Sequence, residues 1–216
     1  MNWENILPNL QPSLQIVVLL VLLSMLPLIV VTMTPFLRIV IILSLLRTAL
    51  GTQQVPPNLV VIGMAIIITG YVMGPPLKEI NEHSLIPLSN QQISITQAMA
   101  EAYIPLKKFM LKQTEMKDLA FFYRLTNSLN PATPDEVEFR QLVAAFLLSE
   151  LRTSFEIGFL IFIPFLVIDL IIANILLALG MIMLSPTIVS LPFKLLIFVA
   201  VDGWTLIVKG LVQSFN

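Results

Sequence analysis

Charge is spread so unevenly along this 216-residue chain that its distribution limits what the chain can fold into. Of the 25 charged side chains, 15 fall between Lys78 and Arg140, whereas Asn5 to Leu37 and Thr48 to Leu77 carry none. The sequence therefore divides into three regions: a hydrophobic one over residues 1–77, a polar one over 78–140 and a second hydrophobic one over 141–216. With 57% hydrophobic and 12% charged residues and a mean hydropathy of +0.92, the chain has more apolar side chains than one water-soluble domain of this size can hide. Lipid, partner subunits or both must cover the excess.

The apolar runs are Leu14 to Val31, Met33 to Leu50, Leu59 to Met73, Ile157 to Leu184 and Leu191 to Val212. Those of the front region, about 15 to 20 residues each, sit close to the helix length that crosses a hydrocarbon core of ~30 Å. Proline recurs in or beside the runs, at Pro27, Pro35, Pro56, Pro57, Pro75, Pro76, Pro164, Pro186 and Pro192. Each proline lacks an N–H and disfavours helical geometry just before it, so it is expected to kink or stop a helix. The carbonyls so freed are costly in hydrocarbon unless protein or water satisfies them. The expected class is all-α: bent helical hairpins of the membrane type, packed against neighbours, with an amphipathic helical middle region.

An ionisable group in an apolar segment usually faces a bundle interior, a partner or a watery cavity. Arg38, Arg47, Arg152, Asp169, Lys194 and Asp202 are accordingly expected to be buried and paired. Snorkelling is the alternative for Lys194 and Lys209, whose stems are long, and ion or proton transport is the alternative for Asp169 and Asp202. The positive-inside rule, applied to Arg38, Arg47 and Lys194, puts those segments on the cytoplasmic side and the polar middle region outside.

Within the middle region, Thr133-Pro134-Asp135-Glu136 has the pattern of a helix start. The apolar stripe that follows is Phe139, Leu142, Val143, Phe146 and Leu147. An earlier stripe comprises Leu106, Phe109, Met110, Gln113, Met116, Ala120 and Tyr123, with Lys107, Lys108, Lys112, Glu115 and Asp118 on the remaining faces. The region has too few aliphatic residues for a separate domain, so part of this stripe is expected to meet another copy or subunit.

Chemistry is sparse. There is no cysteine, and the one histidine, His83, stands in a polar stretch, so no metal site and no cofactor site is expected. Phosphate-loop, dinucleotide, His-Glu-x-x-His and Gly-x-Ser-x-Gly patterns are all missing. Asp169 and Asp202 are the only candidates for an intramembrane carboxylate dyad, and neither lies in a catalytic motif, so no enzymatic activity is expected. No basic patch supports nucleic-acid binding. The first nine residues contain no Lys or Arg and one Glu, so the first apolar run is expected to belong to the mature protein rather than to a cleaved signal.

Several long segments carry a family resemblance. They are Ser149-Glu150-Leu151-Arg152-Thr153-Ser154-Phe155-Glu156-Ile157-Gly158-Phe159, Phe162-Ile163-Pro164-Phe165-Leu166-Val167-Ile168-Asp169-Leu170, Leu177-Ala178-Leu179-Gly180-Met181-Ile182-Met183, Leu191-Pro192-Phe193-Lys194 and Val201-Asp202-Gly203-Trp204, with Leu45-Leu46-Arg47-Thr48-Ala49-Leu50-Gly51 and Pro56-Pro57-Asn58 in the front region. In this order they resemble the FliP family of flagellar export-gate proteins and its virulence counterpart, SctR. The stretch from Pro105 to Thr114, continuing from Asp118 to Phe122, is more similar to the flagellar branch. Two departures stand out: many flagellar members begin with a cleavable signal, and Ile182 interrupts the family's methionine cluster.

The resemblance implies a pentameric set of subunits that winds, with FliQ-like and FliR-like partners, into a helical cone at the bacterial inner membrane, within the flagellar basal body and largely on the periplasmic side. FlhA-like and FlhB-like export components, unfolded secretion substrates and membrane lipid are the further implied partners. By position, Phe109, Phe122 and Glu150 match family residues at or near contacts between copies, and Met181 and Met183 match methionines that seal the closed pore. From the residues alone, those two methionines read as ordinary packing in a 24-residue uncharged run. Two alternatives remain: the equivalent injectisome subunit, and a small-solute or ion transporter. A transporter would be expected to repeat its halves, and the back region does not echo the front in motif or proline spacing.

Overall fold

A computed structural model describes residues 12–52, 55–129, 131 and 133–215. The opening residues, on which the expectation about a signal rests, lie outside the described ones. The described elements are all helical: α1 (Pro12–Met33), α2 (Phe36–Ala49), α3 (Asn58–Val72), α4 (Gly74–Ile80), α5 (Ile86–Ser89), α6 (Ile95–Gln113), α7 (Met116–Leu125), α8 (Phe139–Ala178), α9 (Pro186–Ala200) and α10 (Gly203–Gln213), with a π-turn at Asn81–Leu85 and a 3₁₀ turn at Pro134–Glu136.

Proline marks some helix ends and not others. Pro35 stands just before α2, and Pro186 fills the first turn of α9, where a missing N–H costs nothing. Pro27, Pro105, Pro164 and Pro192 lie inside α1, α6, α8 and α9. Of the two expected effects, a kink or a stop, the stop does not occur at Pro164: α8 continues through it for 40 residues. One lost hydrogen bond is outweighed there by the unbroken turns on either side. Among the described residues α8 is the one helix long and apolar enough to cross a membrane by itself, and only 11% of its most apolar window is buried within the chain. The pair α9–α10 reaches that length only together, and it is bent by 66°.

The chain forms two compact units. The first comprises the described residues up to Thr34 together with Met73–Leu147. Its core is Met110, Leu119, Tyr123, Val137, Leu142, Ala145 and Phe146, with Phe109 and Phe122 packed against it. Helix α6 starts at a capping box: the Gln97 N–H donates to Ser94 Oγ (3.2 Å), and the Ser94 N–H donates to Gln97 Oε1 (2.9 Å). The expected helix start at Thr133 is not formed, because Thr133 makes no side-chain cap and α8 begins only at Phe139. Val137 is drawn into the core instead, and the Glu138 N–H donates to the Tyr123 hydroxyl at 2.9 Å, so a side chain from α7 does the capping. The expected stripe through α6 and α7 is also broken. Thr114 and Glu115 are extended, and Met116 is 79% exposed.

The second unit is Pro35–Val72 with the described residues from Leu148 onward. Leu46, Ala49, Leu50, Phe165 and Phe198 form a core cluster. Phe198 meets Trp204 edge-on at 5.3 Å. The tip of the Leu45 side chain on α2 packs over Gly158 on α8, where a Cβ would displace it. In contrast, Leu59, Ile67, Leu160, Leu196 and many other large apolar side chains of this unit are exposed.

Candidate functional site

The second unit encloses two ion pairs. Arg38 on α2 meets Glu150 on α8, with Nε donating to Oε2 at 2.9 Å and Nη2 to Oε1. The guanidinium also donates from Nη1 to the Ser214 carbonyl (3.1 Å) and lies 4.0 Å from the centre of the Phe215 ring. One side chain thus gathers α2, α8 and the chain's last turn. Both partners are buried, Glu150 with 0% exposure and Arg38 with 3%. The bidentate fork and the additional acceptor satisfy most of what such burial demands.

The second pair links α8 to α9. Lys194 Nζ donates to Asp169 Oδ2 at 2.6 Å and to the Ala49 carbonyl at 3.1 Å, while Ser190 Oγ donates to Asp169 Oδ1. Ala49 is the last residue of α2, where carbonyls lack intrahelical partners and the helix dipole is negative, so the ammonium completes that terminus. Lys194 is buried, and its snorkelling alternative is replaced by this pairing. Ser190 was missed by the reading of the residues, although its spacing of four from Lys194 puts the two on one face of α9.

The remaining charges differ. Arg47, half-buried, donates to the Pro56 carbonyl (3.3 Å) and to Asn58 Oδ1, fastening the turn between α2 and α3. Arg152 is half-buried beside Phe155 and Glu156 on α8. Asp202 is exposed and sits at φ +51° in the turn between α9 and α10, so the run from Leu191 to Val212 is two helices rather than one. Arg38 and Lys194 are engaged inside helices and are not the loop charges that the positive-inside rule counts.

Met181 and Met183 occupy the connection between α8 and α9. Helix α8 ends in a Schellman motif: the Met181 N–H donates to the Leu176 carbonyl (2.9 Å) and the Gly180 N–H to the Leu177 carbonyl (3.0 Å), with Gly180 at φ +72°. Pro186 then opens α9. Between these two stops the chain holds out three consecutive apolar side chains: Met181 is 47% exposed, Ile182 79% and Met183 100%. Phe109 and Phe122 lie elsewhere, half-buried against the first unit's core, with Phe109 edge-on to Phe146 at 6.2 Å.

A model of the FliP family matches residues 19–211, a span that includes both ion pairs and the methionine loop. The chain belongs to the FliP family. Its similarity to curated members of the FliP family runs nearly end to end. It is 47% identical to the flagellar biosynthetic protein FliP of Bacillus subtilis over 96% of this chain and 94% of that protein. It is 51% identical to FliP of Cereibacter sphaeroides over 94% of this chain and 67% of that protein. With FliP of Caulobacter vibrioides the identity is 48%, over 94% of this chain and 76% of the other.

Proposed function

We propose that this FliP-family chain is a subunit of the protein-conducting export gate of the flagellar type III secretion system, sitting in the bacterial inner membrane and passing unfolded flagellar substrates. The observation that carries the reading is the loop from Leu179 to Ser185. A seven-residue connection presents Met181, Ile182 and Met183 outward, and its two ends are fixed by a Schellman stop and a proline start. Methionine is unbranched and polarizable, so several copies converging on an axis can close against one another and yield to a passing chain.

The subunit takes no catalytic role in this reading, and the energy for export comes from other components. Copies arrange as a pentamer, with FliQ-like and FliR-like subunits completing a cone that lies largely on the periplasmic side, and FlhA-like and FlhB-like components feed it. The middle region, 78–140, faces the periplasm and brings Phe109 and Phe122 to the contacts between copies. Glu150 acts on those contacts from within, because with Arg38 it fixes how α2 and α8 present their outer faces. The exposed apolar side chains of the second unit favour this reading over a solitary chain, since so large an apolar surface marks an interaction face.

The test is the double substitution Met181→Ala and Met183→Ala in assembled complexes. Small-molecule leakage across the membrane is expected to rise while secretion is largely kept. Unchanged permeability would overturn the seal.

A further inference from the structure

One groove of the second unit differs from the rest of its apolar surface. It lies between α3 and α10 and encloses about 680 Å³, within the ~300–1,000 Å³ range of pockets that hold small molecules. Ile68, Val208 and Val212 form its walls, and Tyr71, Trp204, Thr205, Gln213 and Lys209 bring the polar groups, Lys209 the one charge. Neither helix contains an acidic residue. Asp202, just before α10, stands seven residues from Lys209, about 10 Å along the helix axis. Lys209 is exposed and makes no ion pair among the described residues.

Apolar walls with one unpaired cation suit a ligand that has a long apolar part and an anionic end. Tryptophan, tyrosine and lysine together are also the set that proteins place at the level of lipid headgroups. We propose that this groove holds an acyl chain of an anionic phospholipid whose phosphate rests on Lys209. An apolar helix from another copy would fill the walls and leave the ammonium buried without a counter-charge, whereas one lipid molecule supplies both the filling and the charge. The inference concerns the chain whether or not Met181 and Met183 seal a pore.

The chain has two tryptophans, so Trp3→Phe leaves Trp204 as the single fluorescent reporter, and it lines the groove. The full chain is reconstituted in mixed phosphatidylcholine and phosphatidylglycerol vesicles in which one lipid or the other carries brominated acyl chains, present at equal low mole fraction. Brominated phosphatidylglycerol is expected to quench Trp204 with about fivefold greater apparent affinity than brominated phosphatidylcholine, the advantage of one lysine near an anionic headgroup. Lys209→Gln should abolish the preference and Lys209→Arg should keep it. Equal quenching by both lipids, or a preference that survives Lys209→Gln, overturns the lipid site. Protection of Trp204 from both lipids also overturns it, since protein then covers the groove. In none of these outcomes is the gate reading touched, because leakage through the methionine variant is measured separately.

Discussion

In the unit built on α6 and α7, Met110, Leu119, Tyr123 and Phe146 lie inside, while Lys108, Lys112 and Lys117 lie outside. In the unit built on α2, α9 and α10, Arg38, Glu150 and Lys194 lie inside, while Leu59, Ile67 and Leu196 lie outside. The first arrangement is what water selects, because apolar burial is its main stabilising term. The second cannot owe its stability to water in the same way. Its interior is joined by directed, charge-assisted hydrogen bonds, and its exterior is left for lipid or protein to cover. The part of the first unit around α6 and α7 thus carries the imprint of water, whereas its helix α1, with Leu20, Leu26 and Leu28 exposed, shares the apolar exterior of the second unit. The charged positions of the second unit should count most in holding it together.

The largest effect is expected at Glu150. Substituting Glu150→Ala leaves the Arg38 guanidinium buried without its carboxylate, a change that costs about 3–5 kcal/mol in comparable pairs. The detergent-solubilised protein should show a large drop in its thermal transition. Replacing both members, Arg38→Met with Glu150→Leu, should recover most of the loss, because two apolar side chains of similar volume need no partner. If the double variant is no more stable than the single one, the comparison between the units fails at its centre.

A smaller loss is expected at the second pair. Asp169 is less deeply buried than Glu150, with 34% of its side-chain surface open to the surroundings, and it keeps the Ser190 hydroxyl as a donor, so Lys194→Ala strands a carboxylate that is still partly satisfied. The cost should be about 1.5–3 kcal/mol, the scale of hydrogen bonds to charged groups. Asp169→Asn, which retains an acceptor for Ser190, should cost less than Lys194→Ala. The ranking is read from thermal unfolding of the two variants side by side, and a reversed order would show that the buried Lys194 ammonium depends on the Asp169 carboxylate more than the carboxylate depends on it.

Much of this is legible in the sequence. The uneven charge marks the helical apolar regions and the amphipathic middle, and Pro186 marks a break close to the two methionines. Local signals were less decisive wherever a tertiary contact competed with them. Ser94 and Thr133 both begin a capping pattern, yet only Ser94 caps, because the Tyr123 hydroxyl takes the N–H of Glu138 and Val137 is pulled into the core. The stripe through Met116 failed at Thr114 and Glu115, where two extended residues reset the helix phase. The partner of Arg38 is 112 residues away, a distance at which spacing holds no information. Asp202 looked like a charge inside one long run and is a turn residue at positive φ between two helices.

The smallest effect should run in the opposite direction, and it tests the part of the first unit around α6 and α7. The Tyr103 hydroxyl is buried and has no hydrogen-bond partner among the described residues, while its ring meets Phe139 edge-on at 5.6 Å. Tyr103→Phe keeps the ring contact and removes an unsatisfied polar group, so the free chain should gain about 0.5–1 kcal/mol. Burial also pushes the phenol's pKa above its ordinary value of 10.0 by disfavouring the phenolate. The unfolded chain then loses this proton at lower pH than the folded one. Stability is full below the ordinary phenol pKa and declines as pH rises through and beyond it. Thermal transitions of the native and Tyr103→Phe chains should therefore diverge as the buffer becomes alkaline, with the variant falling less steeply. Parallel curves at every pH would mean that the phenol ionises as readily in the folded chain as in the unfolded one, and therefore that water reaches this hydroxyl and the part of the unit around it is less closed than its contacts suggest.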